Sequence, residues 1–214
     1  MAQTDTVERI LDAAEALFAE RGFAETSLRM ITSRADVNLA AVNYYFGSKN
    51  VLIQAVFARF LDPVAERLTT LLDQLDADAA LPTHTQPTQQ ELIALLFGVV
   101  MRGRLKERHN LQIFMRLLGI AYAQRQKHLQ RHLEAVYGEL FERCQRLFVE
   151  TVPELPLYEL YWRMNFMMGS VIFTMSDFQT LNDISEARYH RSATVEETME
   201  RLLPFLVAGL RAPL

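Results

Sequence analysis

The stretch TSLRMITSRADVNLAAVNYYFGSK, residues 26–49, decides how this chain is read. Thr26 and Ser27 are side chains that cap free helix amides, so a short helix starts at one of them and ends near Ala35. Asp36 and Val37 make a tight turn, Asn38 caps a further short helix over Leu39–Tyr45, and Gly47 breaks it. Two short helices joined in this way are the geometry by which a second helix enters a DNA major groove. Ile31, Ala35, Val42 and Phe46 fall where the pair must pack, whereas Asn38, Leu39, Ala41, Asn43, Tyr44 and Tyr45 point away. Asparagine pairs bidentately with adenine, and leucine or alanine meets a thymine methyl. Thr26, Ser27, Tyr44, Tyr45 and Lys49 suit phosphate contacts, with Thr26 and Ser27 also presenting helix N-terminal amides. Arg29 and Arg34 lie beside the same face. The spacing alone equally suits a helical hairpin whose exposed Asn and Tyr serve solubility.

Working outward, Ile10, Leu11, Ala14, Leu17 and Phe18 trace one face of a preceding helix that Gly22 stops. After Ser48 a long helix runs through Ile53, Val56, Phe57, Phe60 and Leu61 toward Leu75, with Pro63 as a kink. Residues 76–88 hold two prolines and no helical period and read as a loop. Helices follow at about 89–105, 110–124, 127–151, 156–178 and 194–210, the last interrupted by Pro204, with a polar loop over Asn182–Ala193. The expected fold is all-α: a three-helix head, a long connecting helix and a larger helical body, about nine helices in all.

Composition fits that plan. Half of the 214 residues are apolar, Lys+Arg number 22 against 26 Asp+Glu, and glycine and proline are scarce. The net charge of −4 argues against wholesale coating of nucleic acid but leaves room for a small reading face. Residues 1–60 hold six Lys/Arg against seven acids. No apolar run reaches the roughly 18–20 residues of a membrane span. The polar N-terminus lacks the pattern of a secretory signal, and a lone Cys144 fits a reducing compartment, so a cytoplasmic place is expected.

The segments TVERILDAAEALFAERGFAETSLRMI (6–31) and VNLAAVNYYFGSKNVL (37–52) resemble the N-terminal domain of the TetR family of transcriptional regulators. Further likeness, in FAERGFAETSLR, NLAAVNY, IQAVF and IFMRLLG, is to fatty-acid-responsive repressors of the PsrA type found in pseudomonads. The resemblance implies a DNA-binding unit over 1–60, read by residues 27–46, and an effector-binding and dimerisation unit over 61–214. It implies a double-stranded operator with palindromic half-sites as partner, a homodimer paired through the last two helices, and release by a small apolar effector. The strip Val195, Met199, Leu202, Leu203, Leu206, Val207 and Leu210 is consistent with that pairing. This chain departs from the family pattern at Asp36, where Gly is frequent, at Leu39, where Lys or Ser is, and at Asn43 and Asn50. Asn43 bears on the base read, so A·T pairs are expected in each half-site.

Two helices of the body carry the expected effector contacts. NLQIFMRLLGIAYA (110–123) is apolar nearly all round and expected to be buried, and the helix over 157–178 holds six aromatics and four of the nine methionines. Phe114, Met115, Arg116, Leu118, Tyr122, Trp162, Arg163, Phe166 and Met167 are the candidate lining. Arg116 and Arg163 stand among apolar neighbours, where a cation needs an anionic partner. A fatty-acid carboxylate or acyl-CoA supplies one; Glu134 or Glu159 supplies another. Ordinary core or dimer interface accounts for the same aromatic composition, and an aromatic multidrug-type effector or an architectural DNA-binding role without effector stays open.

The remaining signals point nowhere further. His128 and His132, at i and i+4, have metal-ligand spacing but sit in polar sequence with no third ligand, and read as a solvated face. Arg102, Arg104, Lys106 and Arg108 read as a solvated connection, and Cys144 between two arginines is at most a redox thiol. No phosphate loop, nucleophile elbow or Cys/His pair is present, so no enzyme, metal or cofactor is expected.

Overall fold

The structure, a computed structural model, describes residues 2–79, 81, 87–102 and 108–213. Among these residues ten helices and no strand form: α1 (Ala2–Glu25), α2 (Leu28–Ala35), α3 (Leu39–Phe46), α4 (Lys49–Ala79), α5 (Gln89–Arg102), α6 (Arg108–Ala123), α7 (Lys127–Thr151), α8 (Leu157–Ser176), α9 (Phe178–Tyr189) and α10 (Val195–Leu210). The expected all-α fold is what forms, with one helix more than the sequence suggested.

Ile10, Ala14 and Phe18 have no exposed surface, so the helical period of α1 delivers one apolar face to the core. The helix breaks at Gly22, whose φ of 77° and ψ of 171° are non-helical, before a last turn to Glu25. Leu52, Ile53, Val56 and Phe57 of α4 close the head from the other side, and Arg59 binds Glu8, Asp12 and Glu15 of α1 at 3.1, 2.6 and 3.5 Å.

At 31 residues α4 is about 46 Å long, at 1.5 Å per residue, and runs through Pro63. Its far half is tied to α7 by polar contacts. Tyr137 donates to Asp62 at 2.5 Å, and Arg143 reaches Asp73 and Asp76 at 2.8 and 2.7 Å. Burial, then the Asp62 carboxylate, raises the Tyr137 pKa, so its phenol stays protonated. The helix extends to Ala79, so the first four residues of the loop expected at 76–88 are helical. Most of the rest of that loop lies outside the described residues, as do Arg104 and Lys106 of the basic run.

The loop expected over Asn182–Ala193 is in fact largely α9. Its large apolar side chains beyond Phe178 are Leu181, Ile184 and Tyr189, and all three are exposed. Docking through Phe178 and a left-handed C-cap at His190 holds it, and neither leaves a periodic apolar signal. Pro204 does not interrupt α10, which starts from a full capping box between Thr194 and Glu197. Gln89, at the start of α5, donates to the Thr151 carbonyl and accepts from Arg211, tying together the ends of α5, α7 and α10. No helix among the described residues is long and apolar enough to cross a membrane.

Candidate nucleic-acid interface

The turn between α2 and α3 is built from side chains that cap. Ser27 accepts from the Met30 amide at 3.2 Å, and Asn38 accepts from the Ala41 amide at 2.8 Å. Asp36 takes the left-handed conformation at φ 51° that a short polar side chain tolerates. Ile31 and Val42 are fully buried and Ala35 and Phe46 nearly so, which fixes α3 against α2 and α4, and α2 against α1.

Arg9, on α1, completes the turn from outside. Its guanidinium donates to the carbonyls of Ala35 (3.0 and 2.6 Å) and Asp36 (2.5 Å) and lies 3.7 Å from the Asp36 carboxylate. Sequence reasoning missed this residue, because only the fold brings positions 27 apart in the chain together. Arg9, Asn38, Ala41, Tyr44 and Tyr45 border an open hollow of about 600 Å³ beside the outer face of α3.

Of the expected contacts, Ser27, Arg29, Arg34, Asn38, Leu39, Asn43 and Tyr44 are exposed, and Ala41, Tyr45 and Lys49 are half-buried. Tyr44 is 77% exposed and packs edge-on against Tyr45, with ring centroids 5.0 Å apart. Leu39, Asn43 and Tyr44 lead the outer face of α3. Three residues need correction or qualification. Thr26 has no exposed surface, and its hydroxyl donates inward to the carbonyls of Leu17 (3.1 Å) and Gly22 (2.8 Å), so its side chain cannot meet a phosphate. Asn38 uses its side-chain oxygen as a helix cap, so bidentate pairing with adenine would require that cap to open. Arg34 is bound to Glu20 at 2.7 Å and must exchange that carboxylate to reach DNA. Lys49 approaches the Ala24 carbonyl at 3.5 Å; burial lowers its pKa, and the charge of Glu25 works against that.

The effector residues do not converge as expected. Phe114 and Met115 are buried and Leu118 and Met167 half-buried, all part of the common core, and Phe114 packs on Phe57 and Phe60 of α4. Arg116 and Tyr122 are exposed, because Phe114, Leu117 and Ala121 take the inward face of α6 and leave these two outside. Arg116 therefore is no buried cation, and α6 is not buried all round. Arg163 is buried, but its partners among the described residues are the Leu210 and Ala212 carbonyls at 2.7 and 2.6 Å, with no carboxylate among them. A cation at the C-terminal end of α10 satisfies carbonyls that the helix leaves unpaired.

The aromatic richness of α8 faces outward as well. Tyr158, Tyr161, Trp162, Phe166 and Phe173 are all exposed, while Leu160, Arg163, Val171 and Met175 carry the inward face. Trp162 stacks on Phe166 with centroids 6.0 Å apart and meets Tyr158 and Tyr161 edge-on. Phe173 shares a hollow of about 430 Å³ with Phe205 of α10. Conversely, Leu206, Val207 and Leu210 of the strip expected at a dimer face are buried within the chain. His128 is also not a solvated side chain: its Nε2 is buried with no hydrogen-bond partner among the described residues. Cys144 is half-buried, and burial raises its thiol pKa against the opposing charge of Arg143, the direction that disfavours a reactive thiolate.

Comparison with known proteins follows the same division. Residues 94–209 match the tetracyclin repressor-like C-terminal domain, and residues 10–56 match the bacterial regulatory proteins of the tetR family. The probable HTH-type transcriptional regulator YttP of Bacillus subtilis is 34% identical over 98 residues, 46% of this chain and 44% of its own length. An HTH-type transcriptional repressor of Mycobacterium tuberculosis is 49% identical over 103 residues, 46% of this chain and 50% of its own. The chain thus spans about half the length of the curated relatives it matches. A linker-substituted mutant of HlyIIR shares the fold, with a TM-score of 0.55 at 19% identity over 99% of this chain and 98% of that one.

Proposed function

This chain belongs to the TetR family of bacterial regulatory proteins, whose relatives are regulators and not enzymes, and from that premise we propose that it is a dimeric, DNA-binding transcriptional repressor released by a small apolar effector. The observation that carries the reading is the outer face of α3. It presents Leu39, Asn43 and Tyr44 beside an open hollow, on a helix held by the Asn38 side-chain cap, with the turn before it clamped by Arg9. Asn43 reads adenine, Leu39 and Ala41 take thymine methyls, and Ser27, Arg29, Tyr44, Tyr45 and Lys49 hold the backbone, with Arg34 joining once released from Glu20. Residues 1–60 form the DNA-binding unit and 61–214 the effector and dimerisation unit of a protein that works in the cytoplasm.

The outward aromatic face of α8, with Phe173 and Phe205, supports a dimer interface there, since a monomer rarely leaves so much contiguous aromatic surface in water. A two-fold axis through that face sets the two α3 helices about one DNA turn apart.

The effector is a long-chain fatty acid or acyl-CoA. Support comes from the likeness to fatty-acid-responsive repressors over IFMRLLG (113–119) and from the apolar core to which Phe114, Met115, Leu118 and Met167 contribute. Neither Arg116 nor Arg163 anchors its head group. To release operator 100-fold, the effector must favour the released conformation by about 2.7 kcal/mol.

The test is fluorescence anisotropy of a labelled duplex from the gene's upstream region, titrated with protein at several salt concentrations, with and without oleate and oleoyl-CoA. Nanomolar, salt-dependent binding released by either supports both levels of the reading. Binding indifferent to both keeps the repressor and discards the fatty-acid class. Absence of sequence-selective binding discards the repressor.

A further inference from the structure

The break in α1 is occupied by a residue from the body. Gln124, immediately after α6, turns its carboxamide into the gap at Gly22. Its Oε1 accepts from the Phe23 amide at 3.2 Å, and its Nε2 lies 2.6 Å from where a Cβ on residue 22 would sit. Residues 23 and 124 are 101 positions apart. Only glycine fits position 22, first because φ is +77° and then because Gln124 fills the space.

Both sides of this contact are held rigidly. On the body side, the Gln124 amide bonds the Ile120 carbonyl at 2.9 Å, and the Gln126 amide bonds the Ala121 carbonyl at 3.3 Å across a left-handed Arg125. On the head side, the Thr26 hydroxyl ties the Gly22 carbonyl to the start of α2. The ring of Phe23 lies 5.2 Å from Phe18 and 6.2 Å from Phe57, and Phe57 lies 5.9 Å from Phe114 of α6. Thus α6 meets the head through apolar side chains, Phe114 and Ile120 among them, and through one directional polar contact at Gln124. Ring packing is non-directional, whereas a hydrogen bond fitted into a backbone break keeps its strength only over a narrow range of orientation.

We infer that Gln124 is a positioning residue for operator binding, its carboxamide setting the angle at which the reading head leaves the body. The inference rests on the dimeric repressor reading above. In a dimer, binding of the first head leaves the second at a high effective concentration over its half-site only if the angle between them is held. A head free to rock loses that advantage, although each head by itself reads DNA as before.

The experiment uses the full-length protein and two duplexes: one selected by the wild type from random-sequence DNA, and the same duplex with one half scrambled. Gln124→Met, similar in volume but without an acceptor, is expected to weaken binding to the intact palindrome about ten-fold, because the second head is held less well over its half-site. Binding to the half-site should stay unchanged. Gln124→Glu retains an acceptor oxygen and should keep the wild-type ratio of the two affinities. Gly22→Ala drives a methyl into the carboxamide and should behave as Gln124→Met does, provided it folds. Equal losses on both duplexes, or no loss, would overturn the inference. A wild type that selects no palindrome removes the repressor reading and this inference with it.

Discussion

Replacing Thr26 by valine asks whether this residue belongs to the DNA surface or to the core. Valine has nearly the same shape, so packing is retained and only the hydroxyl is lost. That hydroxyl is fully buried and donates to the carbonyls of Leu17 and Gly22 at 3.1 and 2.8 Å. The Gly22 carbonyl lies at the break in α1, where the helical pattern no longer supplies a donor. Leaving a buried acceptor without its partner costs about 1–3 kcal/mol. In a chain of 214 residues each kcal/mol moves the midpoint by roughly 2–4 °C, so a fall of roughly 4–8 °C is expected for a mid-range loss. Thermal unfolding followed by circular dichroism at a fixed protein concentration measures it, and Thr26→Ser, which keeps the hydroxyl, should recover much of the difference. Operator affinity measured well below the midpoint should change less than three-fold. If Thr26→Val instead melts with the wild type and loses operator binding across a salt series, the hydroxyl faces a phosphate and the inward geometry is wrong.

Four further outcomes are expected. Tyr44→Phe should leave the melting midpoint unchanged and weaken operator binding severalfold, because the ring is 77% exposed and only its hydroxyl is removed; equal affinity would take Tyr44 off the backbone. Arg163→Met should cost about 3 kcal/mol by stranding the Leu210 and Ala212 carbonyls, whereas Arg116→Met should stay within about 0.5 kcal/mol, as urea unfolding would show. Trp162 is the chain's one tryptophan and is 42% exposed, so if α8 pairs with a second copy its emission should move to longer wavelength on dilution, and Trp162→Asp should sediment as a monomer. Burial, then His132, lowers the pKa of His128, so its contribution to stability is present above the ordinary value of 6.5 and lost as pH falls below it; His128→Gln should flatten the decline in midpoint between pH 7 and pH 5.

The head was legible because its signals are local. Ser27, Asn38 and Gly47 act within a turn of where they stand, and Ile31, Ala35, Val42 and Phe46 need only the helical period to be placed. Contacts between distant residues were not legible. Arg163 invited an anionic partner, but its partners are carbonyls at the end of a helix 47 residues later, and backbone carbonyls leave no mark in a sequence. The aromatic count of α8 was legible as a count, but core, dimer face and pocket all fitted it, so its direction was not. The side facing out is decided by which neighbours reach the other side, and Leu160, Val171 and Met175 took the inward places. Thr26 shows the converse: a good capping residue is also a good buried donor, and one residue further along Ser27 had already filled the cap. For α9 no signal was available, since a helix docked by one phenylalanine has no stripe.

The rings of Phe57 and Phe60 on α4 lie 5.9 and 5.0 Å from Phe114 on α6, so head and body share one hydrophobic interior. The consequence bears on modularity. A chimera cut near residue 60, grafting this head onto another body, would carry off half of a packed aromatic joint and leave the other half facing water. Swapping heads to change the operator would then require the α6 residues around Phe114 and Gln124 to travel with them. Over evolutionary time the same constraint makes the reading face free to drift on its outer side while its inner side remains bound to the body it came with.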